Sequence, residues 1–78
     1  LHLVIVSPEK TVFDGMVESV ILPGKLGQFQ VLGNHAPLIS SLAAGEVKYV
    51  AGKETQVLRI AGGFVEVGNN QISVCAEL

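Results

Sequence analysis

The chain has 78 residues, 49% of them apolar, and seven acidic against five basic side chains for a formal net charge of −2. That size bounds one domain with one modest core, and no apolar run approaches the roughly 18 residues a membrane-spanning helix needs. The basic residues Lys10, Lys25, Lys48, Lys53 and Arg59 are scattered, which excludes the clustered positive field of a nucleic-acid surface. A single cysteine, Cys75, excludes an internal disulfide; within Ile72-Ser73-Val74-Cys75-Ala76 it reads as a buried, inert thiol.

Leu1 to Val6 sets Leu1, Leu3 and Ile5 against His2, Val4 and Val6, a strand apolar on both faces that calls for cover on both. It lacks a basic leader and a small-residue cleavage site, so it does not read as a signal peptide, and a cytosolic setting is expected. Ser7-Pro8 ends it, because proline supplies no ladder donor and pushes the preceding residue toward extended geometry. A short strand through Thr11, Val12 and Phe13 follows, and Asp14-Gly15 has the composition of a hairpin turn. Met16 to Leu22 gives a third strand, with Val17 and Ile21 on one face and Met16, Val20 and Leu22 on the other.

Leu22 to Leu38 holds the densest backbone punctuation in the chain. Pro23-Gly24 and Gly27 bracket a two-residue hairpin tip, Lys25-Leu26, because glycine accepts the positive φ of tight turns. Beyond it Phe29 and Val31 face one way and Gln28, Gln30 and Leu32 the other, before Gly33-Asn34 turns again. Leu38 to Gly45 carries no strand chemistry and has the spacing of one helical turn at Ile39, Leu42 and Ala43, too short to stand alone.

Glu46 to Ala51 alternates Val47, Tyr49 and Ala51 with Glu46, Lys48 and Val50, a strand with one wet face. Gly52-Lys53 turns the chain into Glu54 to Ile60, where Gln56, Leu58 and Ile60 share a side. Phe64 to Val67 and Gln71 to Ala76 form a last hairpin through Gly68-Asn69-Asn70, residues that tolerate left-handed backbone. Eight or nine short strands, turn residues every eight to twelve positions and no long helix define an all-β sandwich or barrel.

Chemistry is sparse. There is no P-loop, and Gly24-Lys25-Leu26-Gly27 precedes no helix whose dipole could hold a phosphate, so no nucleotide site is expected. The acids Glu9, Asp14, Glu18, Glu46, Glu54, Glu66 and Glu77 fall about one per strand or turn and read as solvated charges. His2 reads as a solvated end-of-strand ring. His35 reads both as a turn residue bonding a neighbouring carbonyl and as a partner-facing residue; no nucleophile elbow stands beside it. An enzyme, a metal site and a cofactor are therefore not expected. Strands apolar on both faces leave an outer surface that a permanent partner would cover, or that other strands bury.

Several motifs fall in an order that resembles one family. Val6-Ser7-Pro8-Glu9-Lys10 with Val12-Phe13 and Gly15 comes first, then Val17-Glu18-Ser19-Val20. Gly24, Gly27, Phe29 and Val31-Leu32 follow, with His35-Ala36-Pro37-Leu38 close behind. Last come Ala61-Gly62-Gly63-Phe64-Val65-Glu66-Val67 and Asn70 with Ile72-Ser73-Val74. Together they resemble the epsilon subunit of bacterial and chloroplast F-type ATP synthases, called delta in mitochondria, across nearly the whole chain.

The resemblance implies a flattened antiparallel sandwich of about ten strands in a single domain, residues 1–78; the family's usual C-terminal helical hairpin is absent from these residues, which read either as a fragment or as a naturally short form. It also implies a non-catalytic rotor subunit, peripheral to the membrane on its cytoplasmic side, that couples ring rotation to ATP synthesis. The expected gamma-subunit contact comprises Ser7, His35, Leu38, Ile39, Ser40 and Leu42, and the expected c-ring contact comprises Lys25, Leu26, Gly27, Gln28 and Phe29. Here the chain departs from the family, with Gln28 for an acidic residue, Gln30 for glycine and Gly33-Asn34 for Pro-Gly. A neutral Gln28 makes the ring contact less sensitive to salt. The alternative is a free-standing β-sandwich module that uses the same turn-rich edge on another partner.

Overall fold

The computed structural model describes residues 1–78 as nine strands and no helix. In chain order they are β1 (His2–Val6), β2 (Thr11–Met16), β3 (Ser19–Gly24), β4 (Gly27–Leu32), β5 (Leu38–Leu42), β6 (Gly45–Ala51), β7 (Glu54–Ile60), β8 (Gly62–Gly68) and β9 (Gln71–Glu77). Hydrogen bonding runs β2-β1-β9-β8-β5-β3-β6-β7, with β4 on the other edge of β3. The sheet therefore curls into two layers, β2-β1-β9-β8-β5 and β4-β3-β6-β7, joined where Gly24 of β3 pairs with Leu42 of β5.

Alternation explains the core. Leu3 and Ile5 of β1, Val65 and Val67 of β8, and Ile72, Val74 and Ala76 of β9 point inward from one layer. Val20 and Leu22 of β3, Val31 of β4, Val47 and Tyr49 of β6 and Ile60 of β7 point inward from the other, and with Val17 and Leu42 they form a single apolar cluster. Phe13 of β2 tilts against Tyr49 with ring centroids 4.6 Å apart, which links the layers near one edge. No polar or charged side chain is buried.

Most turns fall where the sequence puts them. Lys25-Leu26 is the tip between paired Gly24 and Gly27. Gly33-Asn34, Gly52-Lys53 and Asn69-Asn70 all turn the chain, with Asn34, Asn69 and Asn70 at positive φ. At Gly63 (φ 148°) a Cβ would stand 2.1 Å from the Cys75 carbonyl oxygen, so only glycine lets β8 approach β9 there.

Four expectations are corrected. Asp14-Gly15 is not a turn: Asp14 pairs with Val4 and Gly15 with Leu3, so β2 continues to Met16. The Asp14 carboxylate is engaged by His2 Nε2 at 2.6 Å, and the chain instead changes layer at Val17-Glu18. There the Val17 amide donates to the Leu1 carbonyl and the Glu18 amide to the Val50 carbonyl. Leu38 to Leu42 is strand β5, because its backbone pairs with β8 from Leu38↔Val67 to Leu42↔Gly63, and a sheet ladder outweighs the weak helical spacing of so short a segment.

The third correction concerns pairing direction: β1 and β9 lie parallel, His2↔Gln71 to Val6↔Cys75, so the sheet is not wholly antiparallel. The fourth is Cys75, which is half-buried on an outward face and not in the core. The strand count is nine, against about ten from the resemblance.

Candidate functional site

Two exposed features stand out, and both grow from the β3–β5 junction. The first is the β3–β4 tip, where Leu26 is fully exposed at 105% and Lys25, Gly27 and Gln28 are also exposed. Phe29, half-buried, packs its ring back against the core. The tip is held to the body: the Lys25 amide donates to the Ser41 carbonyl (3.2 Å) and the Ala43 amide to the Pro23 carbonyl (2.7 Å). A Cβ at Gly24 would stand 2.9 Å from the Phe29 ring, so the bare glycine lets that ring close the base of the tip.

The second feature is the outward face of the β2-β1-β9-β8-β5 layer. Strand pairing lines its side chains in rows: Thr11, Val6, Cys75, Phe64 and Ser41 in one, Asp14, Val4, Ser73, Glu66 and Ile39 in the next. Ile39 is 74% exposed and Phe64 53%. Two depressions lie on this layer. One of about 720 Å³ is bordered by Pro37, Ile39, Glu66, Gly68 and Ser73. The other, about 340 Å³, is bordered by Val6, Pro8, Phe64, Cys75 and Glu77.

The residues expected to meet gamma do not form one patch. Ile39 projects outward, Leu38 and Ser40 are half-buried on the inward side of edge strand β5, and His35 sits just before it. The His35 Nδ1 lies 2.7 Å from the Ala36 carbonyl, the local bond expected of a turn histidine. Ser7 lies across the layer beside the smaller depression, its hydroxyl on the Lys10 carbonyl at 3.3 Å. Leu42 is 1% exposed and belongs to the core, so it offers no surface to a partner. All five tip residues do come together on one hairpin.

In the sequence, Glu66 and Glu77 read as solvated charges and Phe64 has no site role. The signal was present in Gly62-Gly63-Phe64-Val65-Glu66-Val67, whose alternation sends Phe64 and Glu66 to the side opposite Val65 and Val67. His2 is not a free ring: its Nε2 lies 2.6 Å from the Asp14 carboxylate and is hydrogen-bonded to it. No three His, Cys, Asp or Glu side chains converge in metal-ligating geometry.

These features define a two-layered β-sandwich whose exposed apolar surface lies on one projecting hairpin and on the outward sheet faces. The particular family follows from the comparisons: residues 1–78 match the model of the ATP synthase delta/epsilon chain β-sandwich domain, and the chain belongs to that family. It is 42% identical over 77 residues to the ATP synthase epsilon chain of Leptospira interrogans, covering 99% of this chain and 61% of that relative. The epsilon chain of Caulobacter vibrioides is 43% identical over 77 residues, covering 99% of this chain and 90% of its own length.

The chain thus spans about three fifths of the Leptospira relative and nearly all of the Caulobacter one. Among solved structures, a chain of the Euglena gracilis mitochondrial ATP synthase assembly of OSCP, F1 and c-ring superposes with a TM-score of 0.88 at 19% identity, over 95% of this chain and 48% of that one. A chain of the Tetrahymena thermophila mitochondrial ATP synthase central stalk and c-ring gives 0.82 at 15% identity, over 99% and 63%. At those identities the likeness establishes the shared sandwich.

Proposed function

We propose that this chain is a central-stalk component of an F-type ATP synthase that performs no chemistry and couples rotation of the membrane ring to the catalytic head. In this reading the outward layer near β5 meets the gamma subunit through Ile39 and the adjacent His35, with Ser7 at the far side of the layer and half-buried Leu38 and Ser40 on the inward side of β5 supporting the contact. The hairpin Lys25 to Phe29 meets the polar loops of the c-ring. The chain sits beside the membrane on its cytoplasmic side; no helix in it is long and apolar enough to cross a bilayer.

The observation that carries the reading, beside family membership, is the pairing of a fully exposed tip with a rigid mount. Leu26 has no covering neighbour, yet its hairpin is bonded through Lys25 to Ser41 of β5 and through Pro23 to Ala43 just beyond that strand. A piece that transmits torque needs two contacts on one stiff body, and a closed sandwich with a single core supplies that stiffness.

Co-expression with gamma and the c subunit tests it. The expected result is a complex of all three that survives gel filtration, with Leu26→Ser losing the ring and keeping gamma. Isolation of this chain alone, with gamma and the ring assembling without it, would overturn the reading.

A further inference from the structure

An edge strand carries a row of backbone donors and acceptors with no neighbour. With β5 tied to β3, the two layers end in β2, β7 and β4. The first two are guarded. A register shift breaks the β1–β2 ladder between Ile5 and Val6, and Asp14 lies within β2; β7 begins at Glu54 and carries Arg59. By contrast β4, Gly27-Gln28-Phe29-Gln30-Val31-Leu32, has no charge, no proline and no irregularity in its pairing with β3.

The bonding of β3 fixes which groups β4 leaves open. The Ala43 amide donates to the Pro23 carbonyl and the Lys25 amide to the Ser41 carbonyl, so Pro23 and Lys25 point toward β5 and Gly24 points the other way, toward β4. Alternation along β3 then turns Leu22 and Val20 toward β4 as well, where they meet Phe29 and Val31. Gln28, Gln30 and Leu32 therefore aim their amides and carbonyls away from the sheet. No strand pairs with that side of β4, and no turn or loop bond engages it.

Open rungs centred on Gln30 are self-complementary. A second copy related by a two-fold axis lays its β4 antiparallel, Gln30 against Gln30 and Gln28 against Leu32, so each open rung of one strand meets an open rung of the other. Side chains suit the same register. Leu32, 52% exposed on the outward face, comes beside Gln28 of the second copy, and half-buried Phe29 on the inward face comes beside Val31 of the second copy. Neither strand brings a charge to repel the other, whereas a charged strand would set its charge against amides alone. The two-fold also closes the contact, because each copy has one such edge and the pair leaves none open.

We infer that β4 docks a second copy of this chain edge to edge, and, resting on the central-stalk reading above, that this pairing and the ring contact exclude one another because the second copy covers Gln28 and Phe29. The unassembled chain thereby shields its one unguarded edge until the ring takes it up.

Sedimentation of the full chain from micromolar to millimolar concentration, with amide exchange followed in parallel, tests the pairing. The expected result is a monomer–dimer equilibrium. The Phe29 and Val31 amides are protected at every concentration, and those of Gln28, Gln30 and Leu32 only in the dimer. Because residue 30 faces its own copy, Gln30→Lys and Gln30→Glu each weaken dimerisation about fivefold or more at low salt, and an equimolar mixture of the two variants restores it. Val57→Lys, on β7, leaves it unchanged. Melting temperatures of the Gln30 variants stay near that of the parent, since the side chain is exposed. Purified c-ring converts the dimer to ring-bound monomer. A monomer at every concentration, a dimer indifferent to both Gln30 substitutions, or protection of the three open amides only when the ring is added overturns the inference and leaves the stalk reading standing. Capture of the intact dimer by the ring overturns the exclusion. A chain that dimerises in this register but never binds the ring overturns the ring contact, and the exclusion with it, while the edge pairing stands.

Discussion

Gly24 and Leu42 face each other as the only residue pair through which one layer of the sandwich passes into the other. The same junction fixes the tip to β5, since the Lys25 amide bonds the Ser41 carbonyl and the Ala43 amide bonds the Pro23 carbonyl. Leu42 is also core, so its side chain supports this corner from within. Leu42→Ala is expected to cost about 2–5 kcal/mol. At about 4–8 °C per kcal/mol for a domain this small, the melting temperature falls by roughly 10 °C or more. Amide exchange at Lys25 accelerates with it. Ile39→Ala, three residues along the same strand and facing solvent, leaves the melt within about 0.5 kcal/mol and instead weakens gamma binding.

The close approach of β8 to β9 predicts the outcome at Gly63. Added carbon there meets the Cys75 carbonyl in a backbone conformation that side chains rarely adopt, so Gly63→Ala must push the two strands apart. A loss of about 3 kcal/mol or more is expected, read by chemical denaturation as a lower midpoint at unchanged slope.

At the tip, stability and assembly should separate. Leu26→Ser alters no packing, so its melt matches the parent while its hold on the c-ring declines. Gln28→Glu places a charge beside the tip and makes ring association more dependent on ionic strength. Identical dissociation of the parent and Gln28→Glu across salt concentrations would show that Gln28 does not contact charged groups of the ring.

The Phe13–Tyr49 pair gives a graded test of the link between layers. Phe13→Leu keeps most of the apolar burial and loses the ring contact, for about 1 kcal/mol. Phe13→Ala also opens a gap against the core, and roughly 3 kcal/mol is expected. Equal effects of the two would mean that the aromatic contact contributes nothing beyond bulk.

Local chemistry was legible in the sequence wherever one short stretch decides the outcome. Gly24 to Gly27 and Asn69-Asn70 carry their turn geometry in their own residues, and Val47 with Tyr49 carries its facing in its alternation. Misreadings arose where distant partners decide. Asp14-Gly15 has hairpin composition but is drawn into extended pairing by β1, and Leu38 to Leu42 becomes a strand only because β8 lies alongside. The parallel β1–β9 pair joins opposite ends of the chain, and no periodicity within either strand reveals it. The same holds for the candidate surfaces: the tip is contiguous in sequence and was visible, whereas the Phe64 face is assembled from five strands and was not.

The most direct test of the coupling role is ATP-driven ion pumping by membranes carrying the complex with and without this chain, with hydrolysis measured in parallel. The account predicts that hydrolysis proceeds without the chain while pumping collapses, and that adding the chain back restores pumping but Leu26→Ser restores it poorly. Full pumping per ATP hydrolysed in its absence would contradict the account.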